Sequence, residues 1–315
     1  MYLSICTGVY GDCSYPEMLD KVKAHGLNYV EICVGGWEPT PHGFATELIN
    51  DDEKLEEFKA ELKKRNMKIS ALNCSGNPLC PGKLGKKHSD TAYDTVTLAG
   101  KLGIKTIVMM SGLPAAAPED KIPNWILSTQ SLPCDDPYLI EAYRYQWEDV
   151  AIPWWKKFAG HCKKNGVRIA IEEFPGQLVY NVSTFKRLRK EIGETIGINL
   201  DPSHLMAFGA EHIASVRTLG DMIYYVHGKD ARIERGLSDI DGLLDNSRVE
   251  DVKTRTWNYV AVGCGHDLKW WKEFFSVLSM VGYDGVVSLE MEDLTMSVEA
   301  GVTTSIDALQ ATISK

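Results

Sequence analysis

Glu172, Asp201, His227 and Glu290 are the side chains of this 315-residue chain whose types and positions combine into one chemistry. Each closes a short run of β-forming residues: Arg168–Glu172, Ile196–Asp201, Met222–His227 and Gly285–Glu290. Side chains alternate between the two faces of a strand, so Ile169 and Ile171 share one face while Ala170 and Glu172 share the other. The same alternation runs through Ile198-Asn199-Leu200-Asp201, Tyr224-Tyr225-Val226-His227 and Val287-Ser288-Leu289-Glu290. Three carboxylates and one imidazole are therefore expected on one inner face, at the C-terminal ends of their strands. Converging carboxylates repel unless a cation or protons intervene. A divalent ion resolves the conflict. Mixed oxygen ligation with a single nitrogen suits Mn²⁺, Mg²⁺ or Co²⁺ better than a thiolate-type zinc site. Manganese is the first expectation, with Mg²⁺, Co²⁺ or Zn²⁺ as alternatives.

The elements that must position these groups alternate from one end of the chain to the other. Further strands are expected at Leu3–Thr7, Asn28–Cys33, Lys68–Asn73 and Thr106–Met110. Between the strands lie amphipathic stretches at about 15–25, 51–65, 89–102, 146–165, 182–192, 211–219, 267–281 and 299–313. Ser14, Asp51, Ser89 and Asp267 are capping-type residues at four helix starts. Gly26, Gly166 and Gly282 precede strands in the manner of helix C-termini. Eight strand–helix units in order predict an α/β chain closed as a (β/α)8 TIM barrel, one domain over 1–315. A dinucleotide-binding sheet would need Gly-x-Gly-x-x-Gly after its first strand, where Thr7-Gly8-Val9-Tyr10-Gly11 stands instead. Two loops are long, 111 to about 145 after the fourth strand and 228 to about 265 after the seventh, and long loops are where a barrel carries function.

Composition narrows the partners. A net charge of −9 would repel a phosphate backbone and an anionic membrane surface, so neither nucleic acid nor membrane is expected. The eight cysteines contain no Cys-x-x-Cys pair, and several sit inside predicted strands or helices, as buried small hydrophobes do. The first residues run straight into a strand, and no apolar run is long enough for a membrane helix, so a cytoplasmic protein is expected. No phosphate-cradling glycine loop or Gly-x-Ser-x-Gly nucleophile elbow is present.

Four motifs give the chain a resemblance. Ala170-Ile171-Glu172-Glu173-Phe174-Pro175, Asn199-Leu200-Asp201-Pro202-Ser203-His204, Val226-His227-Gly228-Lys229-Asp230, and Gly282-Tyr283-Asp284-Gly285 leading to Ser288-Leu289-Glu290-Met291-Glu292-Asp293 resemble the xylose-isomerase-like barrels. These form the sugar isomerase/epimerase superfamily, and the likeness spans the chain, most specifically from Glu172 onward. It implies that Glu172, Asp201, His227 and Glu290 bind the metal, that Glu172 and Glu290 are the catalytic acid/base pair, and that His204 lies beside the ion and contacts substrate. Phe174 departs from the pattern, standing where many members carry histidine.

An ion between two glutamates suits proton abstraction next to the carbonyl of a keto-sugar, through a metal-bound enediolate. Protonation on the opposite face then gives an epimer, and on the adjacent carbon an isomer. If a group β to the carbanion can leave, the same intermediate expels it. The family includes catalytic subunits of C-glycoside deglycosidases, so a lyase on 3-oxo-glycosides is the alternative, and a non-catalytic metal-binding subunit a remote one. A DNA-repair endonuclease of the same superfamily would need a basic groove. The expected partner is a small carbohydrate or glycoside, with a small partner subunit or a homo-oligomer as further expectations. Trp37 and Trp125 are candidate platforms for a sugar face, and Lys229, Asp230 and His266 candidate contacts to its hydroxyls. Trp125, Tyr138, Tyr143 and Trp257 could supply apolar surface for an aglycone.

Overall fold

The computed structural model describes residues 1–37, 40–127, 129 and 138–313. Part of the fourth loop, with Cys134, lies outside the described residues. Parallel strands β1 (Tyr2–Cys6), β2 (Tyr29–Cys33), β3 (Lys68–Asn73), β4 (Thr106–Met110), β5 (Arg168–Glu172), β6 (Ile196–Leu200), β7 (Ile223–Gly228) and β10 (Val286–Leu289) close into a barrel in the order β1-β10-β7-β6-β5-β4-β3-β2. The expected (β/α)8 architecture is thus present, with each strand within a residue or so of its predicted bounds. Asp201 and Glu290 stand one residue beyond their strands, where the chain leaves the sheet.

The expected caps hold at three of the four positions. Ser14 N donates to Glu17 at 2.9 Å, Lys54 N to Asp51 at 3.1 Å, and Trp270 N to Asp267 at 2.8 Å. Ser89 is the exception: its helix begins earlier, at Gly82, and its hydroxyl instead accepts from Trp154 Nε1 at 3.0 Å. Gly26, Gly166 and Gly282 adopt φ of 75°, 66° and 90°, the left-handed conformation that ends a helix.

The chain divides into two compact units. The first comprises Met1–Ile32, Glu56–Ser70 and Asn199–Lys315. Its interior carries a hydroxyl chain. Ser70 donates to Val30 O at 3.0 Å and so accepts from Ser4 and from Tyr225, each at 2.7 Å. The seventh loop belongs to this unit and is not irregular throughout. It folds as an antiparallel hairpin of β8 (Asp230–Ile233) and β9 (Trp257–Val260), with the helix Arg235–Asp241 between them.

The second unit comprises Cys33–Leu55 and Ala71–Ile198. Trp155 is fully buried there and donates to Ser111 O at 3.1 Å, while Trp154 stacks on Phe158. Among the described residues, no helix is long and apolar enough to cross a membrane.

Candidate metal centre

Asp201 begins where β6 stops. Pro202 opens the short helix Pro202–Ala207, and Asp201 caps it: its Oδ1 accepts from Ser203 N at 2.8 Å. One oxygen is thereby spent and the other is aimed. Oδ2 is buried and accepts no hydrogen bond, and His204 Nε2 stands 3.2 Å from it. Strands β7 and β10 run in a register that pairs His227 with Ser288 and Gly228 with Leu289, which brings Glu290 diagonally beside His227. His227 Nδ1 lies 3.3 Å from Glu290 Oε2 and 3.8 Å from Asp201 Oδ2. The opposite edge of the ring meets Glu31, whose oxygens lie 3.2 and 3.1 Å from Nε2.

Glu172, the buried last residue of β5, pairs in register with Met110. Glu172, Asp201, His227 and Glu290 each offer one ligand atom, and these atoms lie within 4.8 Å of one another.

Lys229 follows directly in sequence and is buried. Its ammonium reaches Glu290 Oε2 at 2.9 Å and Glu292 Oε2 at 2.6 Å, and sits 4.2 Å from the centre of the Tyr259 ring. Burial alone would lower the Lys229 pKa; Glu290 and Glu292 outweigh it and hold the ammonium well above its ordinary value. Burial likewise works against ionising Glu290 and Asp201. Lys229 and His227 overcome it at Glu290, and His204, His227 and Lys229 at Asp201, so both carboxyls lie below their usual range. The hairpin delivers Tyr259, whose hydroxyl is 3.0 Å from His204 Nδ1.

Asp230 is engaged within the seventh loop. Its buried carboxylate accepts from the backbone of Gly263, Gly265 and His266 at 3.0–3.1 Å, from His266 Nδ1 at 2.8 Å and from Trp271 Nε1 at 3.3 Å. Asp230 and His266 are thus bound to each other and fasten the end of the seventh loop to the helix Leu268–Met280. In the second unit, Trp37 is exposed and sets its ring edge-on to His88 at 4.7 Å, and Trp125 meets Tyr180 at 5.5 Å.

Two residues with clear contacts were missed in the sequence. Glu31 alternates with the apolar Val30 and Ile32, a period-two signal that marks it as inward-facing. Tyr259 lies in Trp257-Asn258-Tyr259-Val260, a β-rich run within what reads as loop.

The model of the xylose isomerase-like TIM barrel family matches residues 19–312. The chain belongs to that family. A relative from Bacillus subtilis (strain 168), described as the uncharacterized protein YfiH, is 54% identical over 316 residues, covering 100% of both chains. Among solved structures, a xylose isomerase-like TIM barrel protein from Mycobacterium smegmatis in complex with magnesium is similar at a TM-score of 0.68. It shares 15% identity, with 98% of this chain and 96% of that one covered. D-psicose 3-epimerase with D-tagatose, from Clostridium cellulolyticum H10, is similar at a TM-score of 0.62 and 15% identity, covering 98% and 97%.

The residues of this family member fit a divalent ion. Oxygen and nitrogen ligands about 2.1 Å from such an ion stand roughly 3–4 Å apart. The distances of 3.3 and 3.8 Å from His227 Nδ1 fall in that range. Asp201 Oδ2 is buried without a hydrogen bond, and a cation would satisfy it. The donor set holds oxygen and imidazole nitrogen without thiolate, so a hard or borderline ion fits it.

Proposed function

We propose that the chain is a divalent-metal-dependent sugar isomerase or epimerase that moves a proton on the carbon next to the carbonyl of a keto-sugar. The observation that carries this reading is the cluster in which two glutamates, Glu172 and Glu290, accompany Asp201 and His227. The family, and the likeness in fold to a sugar epimerase, support it. These four residues would hold the ion, with Mn²⁺ as our first choice. When bound, a divalent ion supplies Lewis acidity to a carbonyl oxygen and its neighbouring hydroxyl.

Glu290 is assigned the accepting role, because Lys229 at 2.9 Å keeps its carboxylate ionised. It takes the proton as the C–H bond breaks; that electron pair forms the C=C bond of an enediolate, and the carbonyl π pair moves to oxygen. Glu172, protonated, returns a proton to the opposite face to give the epimer; returned instead to the former carbonyl carbon, with the neighbouring hydroxyl's proton passing to the former carbonyl oxygen, it gives the isomer. His204, held by Tyr259, serves a substrate hydroxyl, and Trp37 and Trp125 serve sugar faces. Lys229 is neutralised by Glu290 and Glu292, so an uncharged polyol suits the site better than a sugar phosphate.

A lyase acting on 3-oxo-glycosides would use the same groups but would also need free aromatic surface for the aglycone. Two of its four candidate aromatics are committed to packing. Trp257 is buried, donates to Leu243 O at 3.2 Å and lies under the Arg255 guanidinium at 4.2 Å. Tyr143 packs on Trp147 and under Arg187. This favours the free keto-sugar.

The test is NMR of metal-loaded protein in D2O with free ketoses and 3-oxo-glycosides. Deuterium should enter at the carbon next to the carbonyl, and Glu290→Gln should abolish the exchange. Turnover without solvent exchange, accompanied by a hydride-transfer isotope signature, would overturn the proton-transfer reading. Release of an aglycone would return the lyase.

A further inference from the structure

Glu31 lies in β2, where β1 pairs it with Cys6, and it is fully buried. A carboxylate taken out of water is costly to keep ionised unless hydrogen-bonding or charged groups receive it. Both of its oxygens converge on His227 Nε2, at 3.2 and 3.1 Å, from a residue 196 positions away in sequence. An ionised carboxylate can only accept, so the proton between them belongs to Nε2 of the imidazole. The other ring nitrogen, Nδ1, then turns toward Glu290 Oε2 at 3.3 Å and Asp201 Oδ2 at 3.8 Å.

We propose that Glu31 is the positioning residue of the metal centre: it fixes His227 in the state protonated at Nε2 and presents the Nδ1 lone pair to the ion. The proposal rests on the metal reading above and deepens it. A neutral imidazole carries a single N–H, and a ring protonated on Nδ1 instead would offer the ion nothing at that point. A carboxylate on the far nitrogen also raises the basicity of the ligating one and holds the ring plane. Two of the other ligands are held in comparable ways, Asp201 by Ser203 N and Glu290 by Lys229. Glu31 therefore does for the nitrogen ligand what these neighbours do for the carboxylates.

Two measurements test this on the full chain, as wild type, Glu31→Gln and Glu31→Ala. Calorimetric titration with Mn²⁺ and Zn²⁺, without substrate, should show affinity reduced about 10–100-fold in Glu31→Ala. Glu31→Gln keeps an acceptor and should lose less. Thermal unfolding of the metal-free variants separates a folding defect from a local one. Proton–nitrogen NMR of histidine-labelled, zinc-loaded wild type should place the His227 proton on Nε2, and Glu31→Ala should weaken or shift that signal. Equal affinity in all three chains, or a wild-type ring protonated on Nδ1 alone, would overturn the proposal. A wild type that binds no divalent ion would overturn the metal reading itself.

Discussion

Lys229 Nζ donates to Glu290 Oε2 across 2.9 Å, tying a buried cation to the carboxylate that stands beside His227. Removing one partner of a buried ion pair leaves the other charge uncompensated, at about 3 kcal/mol or more. Lys229→Met should therefore destabilise the metal-free protein by roughly that amount in a denaturant titration. It should also lower turnover by about tenfold or more, the equivalent of losing about 1.4 kcal/mol of transition-state stabilisation. Unchanged stability would show that Glu290 does not depend on this ammonium for its burial.

Bound metal should be lost from Asp201→Ala and His227→Ala, as read by metal analysis after dialysis. EDTA should abolish activity and Mn²⁺ or Co²⁺ should restore it. Because an ion that binds only the folded chain stabilises it, metal at a hundredfold excess over its dissociation constant should add about 2.7 kcal/mol. Retention of a full equivalent of metal by both variants would remove the assignment.

Tyr259→Phe deletes the hydroxyl that meets His204 Nδ1 at 3.0 Å and leaves the ring under Lys229. Stability should fall by about 1 kcal/mol, the net worth of one hydrogen bond. Metal content should stay at the wild-type level while kcat/KM falls, because His204 then loses its partner at Nδ1. A variant with normal kcat/KM would take His204 out of the substrate's reach.

His212 is buried, donates from Nε2 to Pro202 O at 3.1 Å, and has a pKa lowered to about 4 by burial and by neighbouring His266. The unfolded chain binds this proton more readily, since an unperturbed histidine titrates near about 6.5. Stability from this group is therefore complete above that value and is lost as pH falls from about 6.5 toward 4, by on the order of 3 kcal/mol. Urea midpoints between pH 7 and 4 should fall more steeply for wild type than for His212→Gln. Parallel curves would assign the acid sensitivity elsewhere.

The sequence by itself determined the barrel and the four candidate ligands, because both follow from local patterns. The period-two alternation in Arg168–Glu172 or Ile223–Gly228 is set within five or six residues, and it assigns Glu172 and His227 to the same face as the small or polar positions. Helix ends were legible for the same reason at Ser14 and Asp267, where a side chain caps its own backbone. Ser89 was misread because a capping-type residue in mid-helix looks the same until the helix around it is seen to begin at Gly82. What only the tertiary structure decided are the partnerships between distant segments. Nothing local in Tyr29–Cys33 joins Glu31 to His227; that pair exists because strands far apart in sequence enter one closed sheet. Nothing local in the seventh loop sends the Asp230 carboxylate to the backbone of Gly263 and Gly265, or Tyr259 to His204. Those contacts depend on the register of the β8–β9 hairpin, which follows from how its two arms pair rather than from either arm alone.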